Sequence, residues 1–320
     1  MTKQAPLSPR RIMDARTRID PLFLDTPLLQ ANLNGLSILA KDETENPIRS
    51  FKGRGTSFYL AENAHDTAPL VTASAGNFGQ GLAYNAGKHG RTLIVFASVN
   101  ASPVKIDAMR RFGAEVMLAG DDFDAAKAAA KRHAEEKGLR FVEDGAEAAI
   151  AEGAGTIAAE LTDHGEAIDA IYIPLGNGAL AAGIGCWFRM QSPSTRIIAV
   201  AASGAPCMAL SHRAGQSIST EEARTIADGI AVRIPVPQAV EWLQDTIDDV
   251  VLVDDDQIIA AMRFAHERWG RVVEPAGAAG LAGILAERSD WTARRVATIL
   301  CGGNLTDKQI ASWLPSASNR

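Results

Sequence analysis

A lysine near a predicted helix start is the first candidate for covalent chemistry in this sequence. Lys52 lies in segment 46–55, where Asn-Pro predicts a turn and Ser50 can cap a helix that runs toward Leu60. Lys52 then lies in the first turn, where the positive end of the helix dipole favours the uncharged, nucleophilic amine. Lysines that form Schiff bases need that property. Taken alone, the segment is more typical of a solvated lysine beside Arg54.

A second candidate is the sequence Thr-Ala-Ser-Ala-Gly-Asn-Phe-Gly-Gln-Gly at 72–81, which follows an apolar strand predicted at 69–71. It opens a helix that runs to about Ala86. Backbone N–H groups at such a junction suit a carboxylate or a phosphate, and Asn77 adds a side-chain amide. The alternative is an ordinary serine-capped turn between a strand and a helix.

The third candidate is a glycine turn, Gly176-Asn177-Gly178, between another predicted strand and helix. Glycine lets the backbone approach a phosphate, and a helix N-terminus stabilises its charge. The spacing also fits a dinucleotide site, which requires an acidic residue about 20 positions further on. The next strand ends in Ala-Val-Ala-Ala-Ser at 199–203, without an acid, which argues against a nicotinamide cofactor. The alternative is a turn that serves packing only.

The fourth candidate is Cys301, at the carboxyl end of a predicted strand and followed by two glycines. Open α/β sheets bind ligands at the carboxyl ends of their strands. Glu274-Pro275 predicts one more helix start. The alternative for Cys301 is a buried thiol that acts as a small apolar side chain.

Composition excludes several classes of protein. The 320 residues carry a formal net charge of −6, which argues against nucleic acid or an anionic membrane as partner. Three widely spaced cysteines cannot form a disulfide framework or a zinc site and favour a cytoplasmic setting. No apolar window is long enough for a bilayer span, and the N-terminus lacks the apolar region of a signal peptide. The histidines show no metal-ligand spacing.

Strands and helices alternate from about residue 70 onward. Apolar, β-branched runs lie at 93–96, 170–173, 196–200 and 296–300, and helix-periodic stretches lie at 122–137 and 257–269. This pattern predicts an α/β fold with mostly parallel sheets flanked by helices. The Gly/Glu-rich region 144–155 is the best candidate for a domain boundary. We therefore predict a small domain at 69–145, inserted into a large domain formed by 1–68 and 146–320.

In their order and spacing, the four segments resemble the fold-type II pyridoxal-5′-phosphate (PLP) enzymes, with a two-domain, tryptophan synthase β-like fold. The likeness covers nearly the whole chain and is greatest to threonine/serine dehydratases and serine racemase. Ser-Phe-Lys-Gly-Arg-Gly at 50–55 and Ser-Ala-Gly-Asn at 74–77 match two motifs of that family. Segment 225–230 also reads like the dehydratases. The cofactor contacts that the resemblance implies are Phe51, Lys52, Asn77, Gly176, Asn177, Gly178, Ala179, Leu180, Glu274 and Cys301. The implied contacts of the substrate carboxylate are Ser74, Ala75, Gly76, Asn77 and Phe78.

The resemblance also implies roles for these residues. Lys52 would carry the cofactor and take the Cα proton, Asn77 would bond the cofactor's ring hydroxyl, and residues 176–180 would hold its phosphate. A neutral Cys301 thiol facing the pyridine nitrogen would favour elimination over transamination. The predicted reaction is loss of the β-hydroxyl from a small hydroxy-amino acid such as threonine or serine, giving a 2-oxo acid and ammonia. The expected assembly is a homodimer, the usual default.

Several positions depart from the family pattern. Asn177 and Ala179 replace glycines of the phosphate turn, and Phe78 replaces a common histidine. Arg49 precedes the lysine motif and could pair with a second substrate carboxylate, whereas Phe78 could favour an apolar side chain; both remain open. In serine racemase, a serine transfers the proton on the face of the substrate opposite the lysine. Ala75 occupies that position here, so we expect little racemisation.

Ala201 and Cys207 occupy the positions of metal-binding acids in many relatives, so no metal site is expected. The chain ends soon after Asn304, so no regulatory C-terminal domain is expected. The alternatives are a β-replacing synthase, a threonine synthase or a racemase on the same scaffold, or a catalytically silent ligand-binding protein. The presence of Lys52 argues against the last of these.

Overall fold

Two sheets position the candidate residues. The computed structural model describes residues 7–288 and 294–314. The six-stranded sheet has the order β1-β2-β10-β7-β8-β9, and the four-stranded sheet has the order β5-β4-β3-β6. Strands β1 and β2 pair antiparallel, and the other paired strands of the described chain run parallel. The strands are β1 Leu28–Leu33, β2 Leu36–Asp42, β3 Leu70–Ala73, β4 Leu93–Ala97, β5 Glu115–Leu118, β6 Arg140–Phe141, β7 Ala170–Pro174, β8 Arg196–Ala202, β9 Asp249–Val253 and β10 Arg295–Leu300.

Helices connect the strands and cover the sheets. Short 3-10 helices at Pro21–Phe23 and Asp228–Ile230 supplement the α-helices. No helix in the described part of the chain is long and apolar enough to cross a bilayer. The α-helices are α1 Pro9–Arg18, α2 Lys52–Glu62, α3 Asn77–Lys88, α4 Pro103–Arg111, α5 Phe123–Lys137, α6 Ala148–Asp163, α7 Ala179–Gln191, α8 Cys207–Ala214, α9 Pro237–Thr246, α10 Asp255–Trp269, α11 Pro275–Ala286 and α12 Asp307–Trp313.

The predicted fold class is confirmed. Every residue of β3 and β7 is buried, which agrees with strands that are covered on both faces and therefore lack polar alternation. The two helices predicted from periodicity are α5 and α10, each displaced by no more than two residues from its predicted start. The four-stranded sheet lies within residues 70–141. The limits of the small domain, 69–145, stay a prediction.

The Gly/Glu-rich region 144–155, the predicted domain boundary, is mostly helix, because α6 begins at Ala148. Its glycines permit close helix packing. A Cβ on Gly153 would lie 2.7 Å from Gly55 Cα in α2, and one on Gly155 would lie 2.8 Å from the Gly183 carbonyl oxygen in α7. The region therefore packs α6 closely against both the lysine-bearing helix α2 and the helix after the glycine turn, α7.

A buried network of ion pairs fixes the position of α2, the helix that carries Lys52. Arg54, two positions after Lys52, has a fully buried side chain. Its guanidinium donates to Glu43 and to Glu160, at 2.8 and 2.5 Å. Lys41 also pairs with Glu160, at 2.7 Å. Burial alone would raise the pKa of Glu160, but hydrogen bonding and the charges of Arg54 and Lys41 lower it to about 2. The network ties α2 to β2 and α6.

Candidate active site

The four segments meet at one cavity of about 670 Å³ between the two sheets. They reach it from the carboxyl ends of β3, β7 and β10 and from the start of α2. Each residue that the sequence predicted as a contact of the cofactor or the substrate lines this cavity. These residues are Phe51, Lys52, Ser74, Ala75, Gly76, Asn77, Phe78, Gly176, Asn177, Gly178, Ala179, Leu180, Glu274 and Cys301.

Lys52 is the first residue of α2. The N-cap is Phe51 rather than Ser50, although the Lys52 backbone N–H still donates to the Ser50 hydroxyl at 3.4 Å. The Phe51 N–H donates to the Cys301 carbonyl at 3.0 Å, and Ser50 bridges to Gly302. The start of α2 is thus tied to the end of β10, which brings Lys52 and Cys301 to the same wall.

Asp144 is the partner of Lys52 that the sequence analysis missed. The Lys52 Nζ donates to Asp144 Oδ2 at 2.6 Å, and Asn177 Nδ2 lies 3.4 Å from the same oxygen. The helix dipole alone favoured an uncharged amine, whereas an adjacent carboxylate stabilises the ammonium. Asp144 follows the short strand β6 within three residues, and that position at a strand's carboxyl end could have identified it.

Asn77, the first residue of α3, joins a polar cluster. Its Nδ2 donates to Glu274 Oε1, and its Oδ1 accepts from Asn304 Nδ2 at 2.8 Å. Glu274 is the N-cap residue of α11 and is buried. Burial raises the pKa of Glu274 to about 7, and the charge of Asp228 acts in the same direction. This cluster can exchange a proton near neutral pH.

Ser74 supports the turn before α3. Its hydroxyl oxygen accepts from the Gly76 and Gly79 N–H groups, at 3.2 and 2.9 Å. We expected this side chain to face the substrate carboxylate, but both of these hydrogen bonds go to the helix start. Ala75 and Gly76 line the cavity beside it, and Phe78 is buried with its ring centroid 5.9 Å from Lys52 Nζ.

The glycine turn precedes α7. Gly178 is the N-cap residue, with a left-handed φ of +99° that favours glycine. A Cβ on Gly176 would lie 2.9 Å from the Gly229 carbonyl oxygen, so glycine at 176 lets the turn pack closely against residue 229. The first N–H groups of α7 have no partner within the helix. The turn therefore forms a cradle that suits an anion.

Cys301 provides a neutral group at the end of β10. Its side chain is buried, and its Sγ donates to the Ile299 carbonyl at 3.6 Å. Burial, followed by the charge of Glu274, raises the pKa of the Cys301 thiol well above its usual range. The thiol therefore stays protonated at neutral pH.

Two of the departures from the family pattern lie outside the cavity wall. Arg49 is exposed, has a φ of +51°, and does not line the cavity. Its position gives no support to pairing with a second substrate carboxylate. Cys207 donates its Sγ hydrogen to the Val232 carbonyl at 3.0 Å. In the described part of the chain, no group of three or more His, Cys, Asp or Glu residues could hold a metal ion.

The sequence analysis also missed two ion pairs that line the cavity. Lys105 in α4 pairs with Asp228, and Arg233 pairs with Asp124 in α5. Each pair links a helix beside the four-stranded sheet to the segment between α8 and α9. Isolated charged residues such as these carry no local sequence pattern that would have identified their partners.

The chain is similar in sequence to known proteins over most of its length. A family model described as "Pyridoxal-phosphate dependent enzyme" matches residues 19–302. The L-threonine dehydratase biosynthetic IlvA of Pasteurella multocida is 35% identical over 275 residues, which are 85% of this chain and 54% of the relative. The L-threonine ammonia-lyase of Geobacter sulfurreducens is 35% identical over 279 residues, covering 87% and 69%. The chain thus spans about half the length of the first of these relatives.

Two solved structures share the fold over nearly the whole chain. The processed form of threonine deaminase isoform 2 from Solanum lycopersicum superposes with a TM-score of 0.87 at 28% identity, covering 99% of this chain and 97% of that one. Maize serine racemase superposes with a TM-score of 0.88 at 26% identity, covering 96% and 97%.

Proposed function

The chain belongs to the family of pyridoxal-phosphate dependent enzymes, and we propose that it eliminates the β-hydroxyl of a small β-hydroxy-amino acid such as threonine or serine. The products would be a 2-oxo acid and ammonia. The observation that carries this proposal is the convergence of Lys52, the glycine turn and the neutral Cys301 thiol on one cavity. The names of the curated relatives, threonine dehydratase and threonine ammonia-lyase, support the same reaction.

The residues present fit PLP. The turn at 176–180 and the start of α7 would hold its phosphate, because the left-handed Gly178 leaves the backbone open to an anion. Asn77 would donate to the ring hydroxyl, since an amide has two N–H donors and Glu274 uses one. Lys52 would hold the aldehyde carbon. When bound, the cofactor withdraws electrons from the substrate Cα.

The chain's own side chains would then carry out the proton chemistry. Lys52 would take the proton at Cα, and the N–H groups of Ala75, Asn77 and Phe78 would orient the substrate carboxylate. The Cys301 thiol would give the pyridine nitrogen a neutral neighbour, which limits charge delocalisation and favours loss of the β-substituent. Phe51 and Phe78 would exclude water from the amine, since the Phe51 ring centroid lies 4.6 Å from Lys52 Nζ.

We also propose that the protein is cytoplasmic and forms a homodimer. The cysteines of the chain, Cys186, Cys207 and Cys301, are free and buried, which suits the reducing cytoplasm. A homodimer is the usual assembly for a chain of this kind, and light scattering of the purified protein tests it.

A turnover assay and a labelling experiment test the function. Purified protein should be yellow, release a 2-oxo acid from L-threonine or L-serine, and keep the cofactor on Lys52 after borohydride reduction. Lys52→Ala should abolish turnover, whereas Lys105→Ala and Lys127→Ala, which change other lysines of the cavity wall, should retain it. Full activity of Lys52→Ala, or a protein that takes up PLP but releases no 2-oxo acid from any hydroxy-amino acid, would reject the proposal.

A further inference from the structure

Asp144 lies directly on the amine that must react with the cofactor. Its Oδ2 accepts from Lys52 Nζ at 2.6 Å, and the two side chains are only 10% and 16% exposed. The other oxygen, Oδ1, is buried and has no hydrogen-bond partner among the described residues. A buried carboxylate oxygen without a donor is costly, so such an atom calls for a function at that point.

Backbone contacts hold Asp144 in this place independently of the lysine. The Val142 N–H donates to the Val71 carbonyl at 2.8 Å, which fixes the segment to β3. Gly145 follows with a φ of +90°, and a Cβ there would lie 2.7 Å from the Asn177 carbonyl oxygen. The carboxylate is therefore placed between Lys52 and the glycine turn.

The other ionisable groups near Lys52 are engaged elsewhere. The Cys301 thiol stays protonated because burial raises its pKa, and Glu274 accepts from Asn77. Lys127 pairs with Glu143, the neighbour of Asp144. Among the described residues, Asp144 is thus the carboxylate in contact with the Lys52 amine.

We propose that Asp144 is the proton acceptor and donor for the reaction that joins Lys52 to the aldehyde carbon of PLP. Asp144 takes one of the three ammonium protons, and the freed lone pair of Nζ attacks the aldehyde carbon. The carbon–oxygen bond then breaks. Two of the ammonium protons leave with the aldehyde oxygen as water, the third stays on the imine nitrogen, and Asp144 is again a carboxylate.

The rate of cofactor loading tests this role. The 320-residue chain is stripped of cofactor with hydroxylamine, desalted and mixed rapidly with excess PLP, and the absorbance of the bound cofactor is followed from pH 6 to pH 9. Asp144→Asn keeps the size and polarity of the side chain but cannot accept the proton. We expect loading to slow by about 10²-fold or more. The rate should also rise more steeply with pH than in the wild type, because solvent must now take the proton.

A matched control separates proton transfer from a general change of charge. Asp122 lines the same cavity, and its side chain caps α5 by accepting from the Ala125 N–H, which asparagine can also do. Asp122→Asn should load at the wild-type rate. Asp144→Ala should load slowly and recover speed when formate is added, because formate can supply the missing carboxylate.

Binding of pyridoxine 5′-phosphate, which has an alcohol in place of the aldehyde, completes the test. Asp144→Asn should bind this analogue with wild-type affinity, as measured by calorimetry. Loading at or above the wild-type rate would show that Asp144 only restrains the amine, and slow loading with weakened analogue binding would show that it only holds the cofactor. Either result overturns the proposal. No amino-acid substrate is added, so the outcome is independent of the proposed elimination.

Discussion

The side-chain amide of Asn77 donates a hydrogen bond to the buried carboxylate of Glu274, and so joins the start of α3 to the start of α11. The two residues are 197 positions apart in the chain. Burial raises the pKa of Glu274 to about 7, assisted by Asp228 and opposed by Lys105 and by the bond from Asn77. Protonation of this carboxyl group therefore changes within the physiological pH range.

Replacement of this carboxyl group should alter the pH dependence of stability. The folded pKa of about 7 exceeds the unfolded value of 4.5, so between these values the folded chain binds a proton that the unfolded chain lacks. The free energy of unfolding of the wild type should fall by on the order of 3 kcal/mol as pH rises from about 4.5 to about 7, and should then level off. Glu274→Gln, which mimics the protonated acid, should lack this contribution.

Urea unfolding at pH 5 and pH 8 measures the difference between wild type and Glu274→Gln. The variant should gain stability relative to the wild type at the higher pH. Glu166→Gln, a change in an exposed surface ion pair, serves as the control and should shift little between the two conditions. If the difference in the free energy of unfolding between wild type and Glu274→Gln is the same at both pH values, the prediction is contradicted.

The left-handed turn before α7 should be sensitive to a single methyl group. Gly178→Ala strains a residue at a φ of +99° and brings a Cβ to 3.0 Å from Ala239 Cβ. We expect a loss of about 1–3 kcal/mol in stability. PLP affinity, measured by absorbance titration, should weaken by about tenfold or more.

Gly138→Ala is the matched control for the glycine turn. Gly138 ends α5 at a φ of +62° with open space around it, so alanine there adds backbone strain without a steric clash. This variant should lose stability and keep its PLP affinity. Equal cofactor affinity in both variants would show that the turn at Gly178 does not contact the phosphate.

Elimination should prevail over racemisation. Racemisation needs a proton donor on the face of the substrate opposite Lys52. The Ala75 methyl group cannot supply one. The Ser74 side chain is held at the start of α3, because its hydroxyl oxygen accepts from the N–H groups of Gly76 and Gly79. Chiral chromatography of residual L-serine should show little D-isomer while 2-oxo acid accumulates, and Ala75→Ser should raise the ratio of racemisation to elimination. Formation of D-serine at the rate of oxo-acid release by the wild type would refute this assignment.

Turnover should survive removal of divalent cations. Ala201 has no ligand atom, and the Cys207 thiol donates to the Val232 carbonyl, with burial raising its pKa to about 11. Neither residue offers the oxygen ligands that Mg²⁺ or Ca²⁺ requires. Activity after exhaustive dialysis against EDTA should equal the starting activity. A large loss that Mg²⁺ restores would point to a metal site built from other residues.

The sequence by itself determined the α/β class and the positions of the cavity-lining segments. Lys52, Asn77, Gly178 and Cys301 lie at starts of helices or ends of strands, where short-range patterns of apolar, glycine and capping residues fix the backbone. Because neighbouring parallel strands have their carboxyl ends at the same edge, local structure accounts for the proximity of Gly178 and Cys301, which follow β7 and β10. The expectation that Lys52 and Asn77 join them came from the resemblance to a known family.

Only the tertiary structure decided which charges face one another. Asp144 reaches Lys52 across 92 positions, and Arg54 is buried only because Glu43 and Glu160 approach it from other elements. The elevated pKa of Glu274 likewise depends on its burial among distant segments. Ion pairing and desolvation depend on distances and solvent access in the packed chain, and no pattern of neighbouring residues encodes these quantities.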